Sequence, residues 1–263
     1  MIGHVEWMTF LKVDQLPEPG RVGHALERLD DIGGAGAVAA VQMARLSGTQ
    51  VDFFTALGRD DVGQRSLDRL NDLGVSVHVA WREGPTRQGI SMVGPDGDRA
   101  ITVIGPRLQA EAADPLPWQR LLHADGVFVT ATDAPALVLA RQAQVLTATP
   151  RLRQQTFSDA QVTLDALIGS GLDPDEQLDT PLGFPTPRLQ IATEGSSGGR
   201  LIPGGRYDAI TPLNPLIDSY GCGDSFAAGV TLGLAAGRSH VDAVKVGADI
   251  GARCSGWMGP FEP

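Results

Sequence analysis

Cysteine is nearly missing: Cys222 and Cys254 are the only two in 263 residues. That argues against a disulfide framework and makes a cytoplasmic location the default expectation. Lysine is as scarce, with Lys12 and Lys245 alone, so nearly all positive charge is arginine. No Lys/Arg cluster stands out and the net charge is −10, which argues against a nucleic-acid partner. With an overall field that repels anions, any phosphate site must be built locally, from backbone amides, a few arginines or a metal ion. No apolar run approaches the ~18–20 residues of a membrane span, so no membrane partner is expected. The N-terminal segment lacks a basic region followed by an apolar stretch and cleavage site, so no signal peptide is read. The five histidines show no metal-ligand spacing, and no internal repeat is found.

What is present is an ordinary globular composition, 42% hydrophobic and 20% charged, in a chain long enough to bury a substantial core. Short β-type runs alternate with helical ones. Residues 51–57, 75–80, 126–130, 145–149 and 188–193 read as strands. Residues 61–74, 134–143, a run opening near Asp224 and another from about Val241 to Arg253 read as helices. Ser239 and Asp242 form a capping-box pattern for the last. This alternation predicts a single domain over 1–263 with a mostly parallel sheet between helices. Two pieces break it. Residues 87–105 read as a hairpin around the turn-rich "GPDGD", and 10–34 alternate like strands with prolines and glycines between. Together they predict a small antiparallel sheet beside the main domain.

The stretch "IDSYGCGDSFAAGVTLGLAAG" (217–237) carries the chemistry. Phe226, Val230 and Leu234 lie on one helical stripe and Gly237 would end the helix. Glycines before a helix let a ligand approach the backbone, and first-turn amides have no partners within the helix. A Gly-x-Gly turn feeding such an end is a local anion site. Asp224 sits where a phosphate would want no competing charge; it reads either as a helix cap or as a base taking a proton from an attacking hydroxyl. Cys222 reads either as a low-pKa thiol or as a small residue contributing only its amide. Asp218 either positions a cation or nucleotide or caps the turn.

This stretch resembles the C-terminal signature of the ribokinase/PfkB carbohydrate kinase family, D-T-x-G-A-G-D-x-F, here Asp218-Ser219-Tyr220-Gly221-Cys222-Gly223-Asp224-Ser225-Phe226. In family order, "IGGAGAVAAVQMARLSG" resembles the early Gly-Gly helix start and "FFTALGRDDVGQRSLDRLNDLGV" the segment after it. "ATEGSSGG" resembles the nucleotide-side turn, and "GADIGARCSGWMG" the helix bordering the adenine pocket. The end of the chain is somewhat similar to ketohexokinase. The resemblance implies a ribokinase-like three-layer α/β sandwich with a β-lid, formed by about 10–32 plus 80–105 and often a dimer contact. It implies an ATP- and Mg²⁺-dependent kinase for a sugar, sugar derivative or nucleoside, with Asp224 as base and Gly221, Cys222 and Gly223 as the anion hole. Thr193, Gly195, Gly198, Asp218 and Cys254 would lie along the nucleotide. Gly33 and Gly34 would let the acceptor sit against the backbone, with Glu6 the nearest carboxylate to it. Arg99, after the turn of the hairpin, reads either as reaching an anionic substrate or as a solvated strand-edge charge.

The sequence also departs from the pattern. Met8 stands about where the family usually has a sugar-binding aspartate, and Glu6 is the nearest carboxylate. Ala35, Gly36, Ala37 and Val38 follow the Gly-Gly pair without an asparagine. The N-x-x-E motif that helps organise Mg²⁺ is missing from 164–176, where Asp173, Asp175 and Glu176 occur instead, so the metal ligands stay unassigned. Arg151 and Arg153 follow the 145–149 strand and read as surface residues or as facing the ligand crevice. A polyol needs partners for its hydroxyls, so these losses argue against plain ribose or fructose. A second reading is therefore a degenerate kinase that binds a nucleotide or metabolite as a sensor. A third, a plain structural domain, leaves the order of the motifs unexplained.

Overall fold

The computed structural model describes residues 1–178 and 181–262. The chain begins with strands β1 (Glu6–Val13) and β2 (Ala25–Gly33), then helix α1 (Ala35–Ser47), β3 (Val51–Gly58), α2 (Asp61–Asp72) and β4 (Val75–Arg82). The hairpin β5 (Gln88–Val93) and β6 (Arg99–Ile104) follows. The second half runs β7 (Gly126–Val129), α3 (Ala134–Ala140), β8 (Val145–Ala148), α4 (Gln154–Ala160), β9 (Ala166–Ser170) and β10 (Gln190–Thr193). Strands β11 (Gly199–Ile202) and β12 (Gly205–Tyr207) precede α5 (Cys222–Ala235) and α6 (His240–Cys254).

The main sheet has two hydrogen-bonded blocks. Strands β3 and β4 pair in parallel, and β7 to β10 form a parallel run extended by antiparallel β11 and β12. Ile2 joins the blocks, bridging in parallel to Phe54 of β3 and to Val129 of β7. Four backbone bonds at 2.9–3.1 Å hold this short seam: Ile2 N to Phe128 O, Gly3 N to Phe54 O, Phe54 N to Met1 O and Thr130 N to Ile2 O.

Successive side chains of a strand face opposite sides, so one sheet supplies two cores. Phe53, Phe128, Ile168 and Ile191 pack with α1, α5 and α6 on one face. Phe54, Val127, Val129 and Leu167 pack with α3 and α4 on the other. The result is the three-layer sandwich. Small residues let α5 and α6 come close: a Cβ on Gly229 would stand 2.9 Å from the Gly247 Cα.

The lid is a four-stranded sheet in the order β2-β1-β5-β6. Its pairs are antiparallel except β1 with β5, which run parallel. Its boundaries correct the expectation of 10–32 plus 80–105. The first lid strand starts at Glu6, because Glu6, Met8 and Phe10 alternate as one buried face. Residues 80–82 belong to the main sheet, as the end of β4 paired with β3.

Candidate active site

In a parallel sheet the loops at the carboxyl ends of the strands share one edge, and ligands bind in the crevice outside that edge. Here the seam strand leads into His4 and Glu6, β8 into Arg151, β9 into Glu176 and β10 into Gly195. The start of α5 reaches the same region: the charges of Glu176, Arg151, Arg99 and Glu6 all act on Asp224.

The turn before α5 is held from below. Asp218 is fully buried, and its two carboxylate oxygens accept from the Tyr220 amide at 2.9 Å and the Gly259 amide at 3.0 Å. Asp218 is thus a clip between the motif and the C-terminal segment, which fits the turn-capping alternative for this residue. Cys254 is likewise fully buried, its thiol 3.4 Å from the Tyr220 carbonyl, and presents no surface to a nucleotide. Gly221 caps the helix at φ 78°, a left-handed conformation that a side chain would strain, and a Cβ there would press on Pro260 and Val38. Beyond it the side of Gly223 is open, with nothing within 4 Å of a Cβ position. Cys254 beside it and burial both push the Cys222 thiol up, so Cys222 contributes an amide and volume, not a thiolate.

Asp224 is half-buried, and its carboxyl is raised from 3.8 to about 7. Burial is the main cause, the Glu176 and Glu6 carboxylates add to it, and Arg151 and Arg99 oppose it. A carboxyl titrating near neutrality is matched to proton transfer at neutral pH.

The root of the lid closes the other side of the crevice. The Gly34 amide donates to the Tyr220 hydroxyl at 2.9 Å, and Tyr220 packs edge-on against Phe10 with centroids 4.9 Å apart. A Cβ on Gly33 would lie 2.5 Å from that hydroxyl, so glycine here admits Tyr220. Glu6 is buried, 3.0 Å from Arg87 Nε and 3.7 Å from His4 Nε2. Burial raises its pKa despite Arg87, Arg107 and Arg151. Burial and the same three arginines hold His4 neutral, with a pKa of about 3. Met8 is fully buried against Gly33 and Gly89; Glu6, two residues earlier on the strand, shares its face and is the carboxylate there.

From the lid, Arg99 donates to the Ser219 hydroxyl of the motif. Arg151 pairs with Glu176 at 2.8 Å and with Asp173. Glu176 also accepts from the Ser170 amide at 2.6 Å. Its charge also acts on Asp224, although the expected N-x-x-E spacing is absent. Among the described residues no three His, Cys, Asp or Glu groups could hold a metal ion. At the end of β10, Thr193 closes the strand and Gly195 and Gly198 shape the following turn, closed by the Glu194 amide on the Gly198 carbonyl at 2.7 Å. Arg200 and Arg206 clamp the Glu194 carboxylate. The sequence reading missed Arg87 and Arg107, which carry no motif; their only signal is a place at the two ends of the hairpin, Arg87 directly before β5 and Arg107 three residues after β6.

A family model described as pfkB family carbohydrate kinase matches residues 1–171. An ATP-dependent ribose-1-phosphate kinase from Halopiger xanaduensis is 28% identical over 243 residues, 86% of this chain and 81% of its own. The Arabidopsis thaliana ribokinase structure complexed with ribose and ATP superposes with a TM-score of 0.72 at 20% identity, over 96% of this chain and 90% of that one. The adenosine kinase of Sinorhizobium meliloti superposes with a TM-score of 0.77 at 17% identity, over 99% and 94%.

Proposed function

Because the chain belongs to the pfkB family of carbohydrate kinases, we propose that it transfers the γ-phosphate of ATP to a hydroxyl of a small sugar-like or nucleoside-like acceptor. The observation that carries this is Asp224, a carboxyl raised to about 7 at the open start of α5, with the acceptor-side carboxylate Glu6 acting on it across the crevice. Asp224 accepts the proton of the acceptor hydroxyl as its oxygen attacks phosphorus. The first-turn amides of α5 after Gly221 hold the charge on the transferred group. Glu6 and His4 receive other polar groups of the acceptor, and the 193–198 turn borders the nucleotide. Glu176 and Asp173 would be the carboxylates to hold a Mg²⁺ that arrives with the nucleotide, and such an ion would supply charge neutralisation for the phosphates. The lid, tied to the motif through Arg99 and Ser219, excludes water, so that ATP is not simply hydrolysed.

The test is ADP release from MgATP across sugars, sugar derivatives and nucleosides. Release that depends on one acceptor class is the expected result. ATP binding by calorimetry with no acceptor-dependent release would favour the sensor reading, and no ATP binding would sink both.

The outer lid also supports a homodimer. Leu26, Ile101, Val103 and Ile104 are exposed there, and every residue of β6 is open to solvent. Sedimentation velocity is expected to give a dimer at micromolar concentration, and the double variant Ile101→Glu, Ile104→Glu a monomer. A monomeric parent removes this part of the reading.

A further inference from the structure

The acceptor end of the crevice carries more positive charge than transfer to a neutral sugar requires. A cleft of about 640 Å³ is lined by Arg87, Arg107, Arg151 and Arg153, with Asp175 also on its wall. Arg87 is matched by Glu6, and Arg151 by Glu176 and Asp173. Arg107 and Arg153 have no carboxylate partner among the described residues, and Asp175 pairs with neither. Arg107 is held in place by its own bond from Nη1 to the Arg151 carbonyl at 3.1 Å, which sets it against its like-charged neighbours. Burial and the charges of Arg153, Arg87 and Arg151 lower its pKa, the signature of a guanidinium crowded by others. A chain with a net charge of −10 has concentrated unpaired positive charge in one cleft.

Arg153 gives an independent sign. Its φ is 80°, in the left-handed region, between the 150–152 turn and α4. Glycine would sit there without strain, so the position retains an arginine at a backbone cost.

On the reading of this site as a kinase centre, we propose that the acceptor is itself a phosphate ester, and that Arg107 and Arg153 bind its phosphate. Two free forked guanidiniums match the charge and the tetrahedral oxygens of a phosphate dianion, where one would suffice for a carboxylate. The nucleotide phosphates are a poorer fit. Arg151 follows β8, whereas the nucleotide-side turn follows β10, two strands away or roughly 9–10 Å. Arg87 and Arg107 act on Glu6, the acceptor-side carboxylate. The esterified carbon must lie away from the hydroxyl that meets Asp224, which points to sugars phosphorylated at the end opposite the reacting hydroxyl.

The experiment compares ribose, glucose and fructose with their 1-phosphates, which keep the terminal hydroxyl free, in wild type, Arg107→Met and Arg153→Gly. A phosphorylated sugar should be turned over with kcat/KM roughly 100-fold above its neutral parent. Each variant should raise the KM of that acceptor roughly 10- to 100-fold, as expected for losing a charge-assisted contact. The KM for ATP should stay within about twofold, a readout that general damage to the fold would not spare. Arg153→Gly should melt no lower than wild type, which separates loss of contact from loss of fold. A preference for neutral sugars, or an equal rise in the KM for ATP, overturns the proposal. If no sugar is phosphorylated the kinase reading fails on its own, and calorimetry of the same 1-phosphates without ATP still decides the anion site. Binding that weakens in both variants supports it; no binding, or equal binding of the neutral sugars, overturns it.

Discussion

Asp224→Asn is expected to lower kcat by about 10²- to 10⁴-fold, the usual worth of a general base, while ATP still binds in calorimetry. An amide keeps the shape and the helix start but cannot take the proton. In the wild type the acid limb of the pH profile should fall near pH 7, because the carboxyl must be ionised to act and its pKa is about 7. Stability should move the other way. The folded state holds the Asp224 proton up to about pH 7, whereas the unfolded chain releases it near 3.8. Between these values the folded protein binds more protons, so the contribution of this group to stability falls as pH rises through the window and is lowest above 7. Asparagine carries no such penalty. The variant should therefore melt higher than wild type at alkaline pH, by at most a few kcal/mol on the usual conversion, and the gap should close toward pH 4. Turnover near the wild-type level in Asp224→Asn would remove the base from the mechanism.

Asp218→Ala is expected to cost about 2–5 kcal/mol, because it strands two buried amides, those of Tyr220 and Gly259, without an acceptor. At roughly 2–4 °C per kcal/mol that is a fall in Tm of roughly 4–20 °C. The same two bonds set where the motif turn stands relative to the segment beneath it. kcat should therefore fall even at temperatures where the variant is folded. Asp218→Asn, which keeps one accepting oxygen, should lie between. An Ala variant that melts within about 2 °C of wild type would show that the clip is not a major support. Asp218 acts through the turn, so its loss should leave the pH of the acid limb near its wild-type value, unlike a change at Glu176.

The strands and helices of the main sheet were readable because each has a period of its own. A continuous apolar run marks β3 and apolar alternation marks β4, and α5 and α6 each carry a stripe and a start signal. The motif around Asp224 was readable because a helix start needs particular residues at fixed spacing. What escaped is what chain-distant residues make together. The seam at Ile2 is too short to have a period. Strand β9 and helix α4 are brief and set among loops. The resemblance sets Asp218 and Cys254 along the nucleotide, but it says where residues stand in a motif, not which way they face; both are turned into the core. The carboxylate on the lid face was half legible, since Glu6 was the nearest candidate, but its pairing with Arg87 depends on β1 and β5 running parallel. The unpaired arginines come from separate loops, and only the shared strand-end edge brings Arg107 and Arg153 into one cleft.

The seam strand has a consequence for a nascent chain. Until Ile2 lies between them, the edges of β3 and β7 are bare, and their sequences include Phe53, Phe54, Val127, Phe128 and Val129. Apolar edges of this kind are templates for pairing with other copies. The bridges that cover them join residue 2 to residues 54 and 129, and the second closes a long loop and forms late. Two or three residues thus complete the sheet and also guard the unfinished protein against aggregation.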